Sequence, residues 1–269
     1  ALDARTGDEI WRFHTVPSPD EPGGDTWVCE GTGNPDCWKS GGASAWITGS
    51  YDAESNSLIW GTGNPWPSFD PEYRPGDNLY SNSTISLDLD SGKLNWHFQY
   101  TPGDMFDWDE TGSQLLIGKE VNGKMTKALV HFARNGFAYT LDRTNGKFLQ
   151  GSQYTDELSW TKGIDSETGK PLEYDPNLLV QAYATGAGKR GTTVDKVCPY
   201  YLGGINFFPT AYNPKTGLAY GHSVEGCMEH TTKGVDGVWP VGGGYFTGGS
   251  FKDGANVHGS ILAMDVTTG

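Results

Sequence analysis

Four carboxylates fall within seven residues between Asp104 and Glu110. In an extended chain, residues two apart point to the same side, so Asp107 and Asp109 can converge on one cation or share one proton. Carboxylate oxygens are ligands that suit hard cations. The same segment could also form a solvated acidic turn, so the cluster alone leaves both interpretations open.

Asn64 lies in a second segment of interest, the sequence Gly-Thr-Gly-Asn-Pro at 61–65, which follows the apolar run 58–60. This order places the amide at the end of a predicted strand. As a dinucleotide-binding loop the segment is a poor match, because the third glycine and the following helix are both missing. The same five residues recur at 31–35, where no strand precedes them and we expect no site.

Trp46 follows a stretch that contains two glycines, at 41–42, and its indole could stack on a flat ring. Packing in the core would explain this tryptophan equally well. The six histidines form no spaced cluster, so we interpret them as surface or packing residues.

A repeat phrase indicates the elements that must position these side chains. The phrase is an apolar residue, then Asp or Asn, then a turn that usually closes on glycine, and often an aromatic residue shortly afterwards. Its copies begin at Asp3, Asp52, Asp88, Asp142, Asn213 and Asp265. The gaps of 36 to 71 residues are near the span of one four-stranded propeller blade with variable loops. The sequence therefore predicts an all-β protein, a β-propeller, with Trp11 and Trp96 packed between neighbouring blades.

Composition agrees with many short strands joined by tight turns, since 39 of the 269 residues are glycine and 15 are proline. Two long stretches, 150–177 and 183–196, are polar, rich in glycine and weakly periodic. We interpret them as insertions that lie over one face of the fold. Long loops of this kind are usually functional or disordered.

Charge and cysteine content exclude some classes of partner. Lys and Arg number 19 against 33 Asp and Glu, a formal charge of −14, so nucleic acid and anionic membrane surfaces would be repelled. No run of about 18 apolar residues is present, and we expect no membrane span. The cysteines fall as Cys29/Cys37 and Cys198/Cys227 without zinc-type spacing, which favours disulfides and hence an oxidising compartment.

Several motifs, taken together, are too specific for a generic propeller. They lie at 46–52 (W-x-x-x-x-Y-D), 61–65 (G-T-G-N-P), 76–79 (G-D-N-L), 101–109 (T-P-x-D-x-x-D-W-D), 134–136 (R-N-G) and 203–206 (G-G-I-N), together with Cys198/Cys227. With them the chain resembles the middle of a quinoprotein alcohol dehydrogenase. That family consists of eight-bladed propellers that hold pyrroloquinoline quinone (PQQ) and a metal ion on the axis. The motifs cover essentially the whole chain in the family's order.

The resemblance implies a role for each matching residue. Trp46 would be the surface on which the quinone stacks, and Ser44 a polar contact to it. Arg134 would donate to a quinone oxygen and stabilise the negative charge that develops there on reduction. Asn206 would be a further cofactor contact, and Asn64 would bind the metal through its amide oxygen.

Asp107 matches the residue proposed in this family as the general base, close to or on the metal. The reaction implied is polarisation of a quinone carbonyl by the metal while Asp107 takes the hydroxyl proton and a hydride leaves the alcohol carbon. An aldehyde and the quinol result. The quinone would carry the redox chemistry, and the protein would supply orientation and electrostatics.

Asp109, assigned here as a further metal ligand, departs from the calcium-dependent members of the family. Those carry a small or neutral residue two positions after the base, whereas lanthanide-dependent members resemble this chain in having a second Asp. A further carboxylate suits a trivalent ion of high coordination number better than a divalent one. We therefore expect a lanthanide ion, with Ca²⁺ as the alternative.

The resemblance thus implies a periplasmic enzyme that oxidises a small primary alcohol and passes electrons to a soluble cytochrome c. A homodimer is compatible with the sequence. The alternative is a non-catalytic propeller of the same repeat family that acts as a protein-binding scaffold. Such a scaffold would have no reason to keep Trp46, Asn64, Asp107 and Arg134 together, and a PQQ enzyme acting on sugars is disfavoured by the Asp107 segment.

Both ends of the sequence lie inside a repeat phrase. We therefore expect residues 1–269 to be a partial propeller domain, truncated at both ends, with about half of the blades. In relatives a metal-binding Glu and a disulfide between adjacent cysteines lie upstream of the matching region. We accordingly expect this piece alone neither to bind PQQ tightly nor to turn over substrate.

Overall fold

Strands dominate the chain because short apolar runs alternate with polar residues and end at turn residues. The computed structural model describes residues 1–121, 123–234, 247–254 and 256–269. Along strand Ser57–Gly61, buried and partly exposed residues alternate, as expected where one side of a sheet is packed. Helical structure in the described residues is limited to the short 3₁₀ segments Gly24–Thr26, Cys37–Ser40 and Pro71–Tyr73.

The strands in the described ranges are, in chain order, β1 Ser50–Asp52, β2 Ser57–Gly61, β3 Ser83–Asp88, β4 Leu94–Gln99, β5 Leu115–Val121, β6 Lys124–Phe132, β7 Phe137–Asp142, β8 Phe148–Gln153, β9 Thr192–Val197, β10 Ala211–Asn213, β11 Leu218–Glu225, β12 Met228–Thr232, β13 Gly249–Asp253 and β14 His258–Asp265.

Consecutive strands pair into separate antiparallel sheets, which is the construction of a propeller. Strands β1 to β4 form one four-stranded sheet and β5 to β8 a second, each in chain order. Strands β10, β11 and β14 form a third sheet. Near the start of the chain, Leu2 and Glu9 form an isolated antiparallel bridge. The prediction of an all-β, propeller-type fold is confirmed.

Copies of the repeat phrase fold as turns in which an Asp carboxylate caps the backbone. Asp88 accepts the N–H of Ser91 at 2.8 Å, and the N–H of Gly92 binds the Asp88 carbonyl at 2.9 Å. Gly92 has φ +68°, a left-handed conformation in which a Cβ would be strained. Asp142 and Gly146 form the same turn, with the corresponding N–H···O distance at 2.8 Å.

An indole from one sheet packs on the turn glycine of the next. Trp96 donates its Nε1–H to the carbonyl of Arg143 at 3.0 Å, and a Cβ on Gly146 would lie 2.6 Å from the ring. Trp11 donates to a backbone carbonyl at 3.0 Å and covers Gly92 in the same way. The prediction of packing between blades is confirmed for Trp96, whereas Trp11 makes the same contact from a segment that belongs to no described sheet.

The two stretches interpreted as insertions hold more regular structure than their composition indicates. Residues 165–169 form another copy of the turn, in which the N–H of Gly169 binds the Asp165 carbonyl at 2.8 Å, and Phe148 packs on this glycine. In the second stretch, β9 pairs with β12, which pairs in turn with β13. This extra sheet was not predicted.

The largest core cluster surrounds the acidic segment. Trp108 is fully buried, and its ring centre lies 4.5 Å from that of Phe106 and 5.2 Å from that of Trp160. Aromatic burial on this scale fixes the backbone on both sides of Trp108.

Both predicted disulfides are present, Cys29–Cys37 and Cys198–Cys227. The second ties the end of β9 to the start of β12, so it holds the extra sheet to the chain that leads to Asn206. In the described ranges, no helix has the length and apolar character needed to cross a bilayer.

Candidate functional site

The backbone at 41–46 runs beside the end of β2 and brings Trp46 near Asn64. The N–H of Ala43 binds the Asn64 carbonyl at 2.7 Å, and the N–H of Gly63 binds the Ser44 carbonyl at 3.0 Å. Trp46 is 44% exposed, which is a large open area for an indole in a protein with this much buried aromatic surface. Its ring is therefore accessible to a ligand.

Asp104 builds the turn that carries the acidic pair. It is fully buried, and its two oxygens accept the N–H groups of Phe106 and Trp108, each at 3.1 Å. Asp107 has φ +69°, a left-handed conformation that costs about 1 kcal/mol or more in a non-glycine residue. Trp108, between them in the sequence, is buried, whereas Asp107 and Asp109 are both partly exposed.

Asp109 connects the acidic segment to the end of β2. Its Oδ1 accepts the backbone N–H of Asn64 at 2.9 Å, and its Oδ2 lies 3.5 Å from a guanidinium nitrogen of Arg134. A Cβ on Gly63 would lie 2.3 Å from the same Oδ1. The glycine therefore allows the carboxylate to approach the backbone this closely.

Asp107 is linked to Asn64 through Ser68. The Ser68 hydroxyl donates to Asp107 Oδ1 at 2.8 Å and accepts from Asn64 Nδ2 at 2.9 Å. Burial, and then the negative charge of Asp109, raise the pKa of Asp107 to about 6, against the opposing effects of Ser68 and Arg134. A carboxyl group of this pKa can exchange a proton near neutral pH.

Arg134 lies between the acidic segment and the loop that carries Asn206. Its backbone N–H binds the buried carboxylate of Glu110 at 3.0 Å, and its guanidinium donates to Asn206 Oδ1 at 3.2 Å. The guanidinium carbon lies 5.9 Å from the centre of the Trp46 ring. A Cβ on Gly203 would lie 2.5 Å from the Arg134 side chain, so this glycine lets the loop pack against the arginine.

The side chains assigned to a site from the sequence lie in one connected cluster. They are Ser44, Trp46, Asn64, Asp107, Asp109, Arg134 and Asn206. Their chemical roles stay predictions.

Sequence reasoning missed two residues of the cluster's supporting shell. Ser68 carries no motif signal, because nothing in the sequence places its hydroxyl between two other side chains. Arg74 is fully buried, and its guanidinium donates to the carbonyls of Pro67 and Ser68 and to that of Asp104. Burial lowers the pKa of Arg74 to about 10. Its position just before the G-D-N-L motif was the available signal.

Comparison with known proteins identifies the family of this chain. Residues 1–153 match the PQQ family model described as glucose/ethanol/alcohol dehydrogenase, beta-propeller domain. Quinoprotein alcohol dehydrogenase PedH of Pseudomonas putida is 41% identical over 216 residues, which are 80% of this chain and 34% of that protein. The lanthanide-dependent methanol dehydrogenase of Methylorubrum extorquens is 32% identical over 242 residues, or 86% of this chain and 40% of that protein.

Solved structures show the same relationship. The quinohemoprotein alcohol dehydrogenase from Comamonas testosteroni superposes with a TM-score of 0.81 at 30% identity, covering 98% of this chain and 40% of that one. A europium-containing methanol dehydrogenase superposes with a TM-score of 0.74 at 28% identity, covering 97% of this chain and 44% of that one. The chain spans less than half the length of these proteins. It belongs to the family of PQQ-dependent alcohol dehydrogenases with a β-propeller domain.

Proposed function

We propose that these residues form part of the quinone and metal site of an enzyme that oxidises a small primary alcohol to an aldehyde. The observation that carries the proposal is the convergence of Asn64, Asp107, Asp109 and Arg134 beside the exposed indole of Trp46. Because the chain covers only part of its relatives, the proposal concerns the complete protein.

The residues present fit PQQ. Trp46 offers a flat apolar ring on a side chain that is 44% exposed, and Ser44 lies on the backbone strip that leads to it. Arg134, whose guanidinium carbon lies 5.9 Å from the centre of the indole, and its partner Asn206 supply polar groups that would hold quinone oxygens. An apolar surface with a few fixed polar groups is the usual composition of a cofactor site.

The residues present also fit a hard cation. Asn64 uses its amide nitrogen within its own turn, donating to the Pro65 carbonyl at 3.0 Å and to Ser68 at 2.9 Å. Its Oδ1 therefore faces away from these partners and is available as a ligand. Together with the carboxylates of Asp107 and Asp109, it makes a ligand set composed only of oxygen atoms.

PQQ with its cation, when bound, supplies the acceptor for the hydride of the alcohol. Asp107 would take the hydroxyl proton, since its carboxylate lies in the same hydrogen-bonded cluster as Asn64. Arg134, which is only 6% exposed, would stabilise the negative charge that develops on the quinone. Trp46 would restrict the orientation of the stacked ring.

We favour a trivalent lanthanide over Ca²⁺ as the cation. Asp107 and Asp109 place two carboxylates in one cluster, and Asp109 is held there by the backbone N–H of Asn64. Additional negative charge favours the ion of higher charge. Two relatives are themselves named for lanthanides, one as lanthanide-dependent and one as europium-containing.

We further propose that the complete protein works in the periplasm and passes electrons to a soluble cytochrome c, and a homodimer is compatible with this proposal. The two disulfides support an oxidising compartment. Similarity to a protein named quinohemoprotein alcohol dehydrogenase supports haem as the class of electron acceptor.

The test uses the complete protein, purified with PQQ and with La³⁺ or Ca²⁺. Metal analysis, absorbance of the bound quinone and dye-linked assays with methanol, ethanol and glucose should show one quinone, one ion and oxidation of the alcohols. A protein that binds no quinone would instead be the non-catalytic scaffold. Residues 1–269 alone should bind PQQ weakly, which a cofactor titration of that piece would measure.

A further inference from the structure

Asn64 has an amide whose two ends are chemically different. The oxygen can bind a cation, whereas the NH₂ group can only donate hydrogen bonds. A rotation of about 180° around the last side-chain bond would present nitrogen where a metal ligand is needed. Something must therefore hold the amide in one orientation, and two acceptors do so in the structure, the Pro65 carbonyl at 3.0 Å and Ser68 Oγ at 2.9 Å.

Ser68 can accept from Asn64 reliably only if its own proton is directed elsewhere. A hydroxyl has one proton to donate and can accept in addition. The Ser68 proton goes to Asp107 Oδ1 at 2.8 Å, and a carboxylate acceptor makes this bond stronger than a neutral one. The Asn64 amide therefore donates to the Ser68 hydroxyl, and that hydroxyl donates to the Asp107 carboxylate.

Ser68 is also held rigidly. Its side chain is fully buried. Its carbonyl accepts from the guanidinium of Arg74 at 3.1 Å, and the same guanidinium binds the carbonyls of Pro67 and Asp104. One buried cation therefore connects the serine turn to the acidic segment.

We propose that Ser68 is a positioning residue that orients the Asn64 amide so that its oxygen, not its nitrogen, faces the metal. This inference rests on the proposed metal site and extends it, because it assigns a function to a residue that would not touch the ion. Supporting residues of this kind typically change metal affinity by about 10- to 100-fold when they are removed.

The test compares Ser68→Ala in two backgrounds of the complete protein. Equilibrium dialysis with PQQ present, against La³⁺ and against Ca²⁺, measures metal affinity. With Asn64 in place, Ser68→Ala should weaken binding of the preferred ion by about tenfold or more. In an Asn64→Asp background, both terminal atoms are oxygens, so orientation no longer matters and Ser68→Ala should cost less than about threefold.

Ser81→Ala is the matched control, because Ser81 is also fully buried but its hydroxyl, within the part of the chain that the structure describes, donates only to a backbone carbonyl, that of Asn78 at 2.6 Å. It should leave metal affinity unchanged. Equal losses for Ser68→Ala in both backgrounds, or no loss with Asn64 present, would overturn the positioning role while leaving the metal site intact. A parent protein that retains neither ion would overturn the proposed metal site itself, and the role of Ser68 with it.

Discussion

Asp109 is the residue at which the choice of metal should be decided. Replacing it with Asn keeps an oxygen for the backbone N–H of Asn64, at 2.9 Å in the structure, and removes one negative charge. Coulomb attraction scales with cation charge, so Asp109→Asn should weaken La³⁺ binding by roughly tenfold more than Ca²⁺ binding. Calorimetric titration of both ions into the complete, PQQ-loaded protein measures this difference.

Asp8→Asn is the control, because Asp8 is exposed and its replacement removes one negative charge without changing the cluster. If Asp109→Asn weakened both ions equally, the second carboxylate would have no part in discriminating between them.

Gly63 sets how closely the backbone approaches the same carboxylate. An alanine Cβ would lie 2.3 Å from Asp109 Oδ1 and 3.2 Å from Ser44 Oγ, so Gly63→Ala must displace one of them. We expect metal affinity to fall by about tenfold or more, as for other changes to supporting groups. Gly112→Ala is the matched control, since its Cβ would meet only the His131 ring at an ordinary 3.5 Å. Equal affinities in the two variants would contradict this account.

At the residue scale, the sequence indicated those side chains of the proposed site whose type is characteristic of a metal or cofactor site. Asp107, Asp109 and Asn64 stand in recognisable motifs, and the structure brings them together as expected. Ser68 could not be found in this way, because its importance comes from two hydrogen bonds formed only when separate loops meet.

Strand β12 supports the acidic segment through a buried histidine. His230 is fully buried, its Nε2 binds the Met105 carbonyl at 2.9 Å, and its ring lies edge-on to Phe69 and Phe106. Burial lowers the pKa of His230 to about 4. The neutral ring is thus the form that fits the folded protein.

This arrangement predicts loss of stability in mild acid. Unfolded histidine has a pKa of about 6.5, so as pH falls from 6.5 to 4 the unfolded state binds the proton first and the free energy of unfolding decreases. The full effect is about 3 kcal/mol, reached below pH 4. His230→Gln keeps an N–H donor but does not titrate. The difference in thermal midpoint between parent and variant should therefore shrink or reverse as the pH falls from 7 to 4. A difference that stayed constant over this range would contradict the effect assigned to His230.

At the element scale, the repeat phrase was a reliable guide because its turn is a local structure. The Asp cap and the glycine at positive φ are specified within five residues, so strands β3, β4, β7 and β8 could be expected on either side. Strands β9, β12 and β13 could not. Thr192–Val197 is short and polar, and its partner β12 begins more than 30 residues further along the chain.

At the scale of the whole molecule, the same phrase also joins neighbouring sheets. The aromatic residue after one turn packs on the glycine of a later turn, as Trp11 does on Gly92 and Trp96 on Gly146. The sequence indicated this contact because the aromatic residue recurs at a fixed distance from the turn. The proposed metal and quinone site, assembled from several blades, would depend on these contacts, since they set the position of one sheet relative to the next.

Gly146 therefore has two separate constraints, which a pair of alanine variants can distinguish. Gly146 and Gly217 have nearly equal φ, +73° and +72°, and each closes a repeat turn. A Cβ on Gly146 would lie 2.6 Å from the Trp96 ring, whereas one on Gly217 would have no described atom within 4 Å.

Gly217→Ala should cost only the left-handed strain, about 1–2 kcal/mol, and Gly146→Ala should cost that plus displacement of the indole, about 3 kcal/mol or more. Thermal unfolding of the complete protein should accordingly show a clearly larger drop in midpoint for Gly146→Ala. In a Trp96→Phe background, with a smaller ring and no Nε1–H to hold it on the turn, the gap between the two variants should narrow. If the difference in thermal midpoint between Gly146→Ala and Gly217→Ala stayed the same in this background, the indole contact would add nothing to the strain of the turn. The position of one sheet relative to the next would then depend on other contacts.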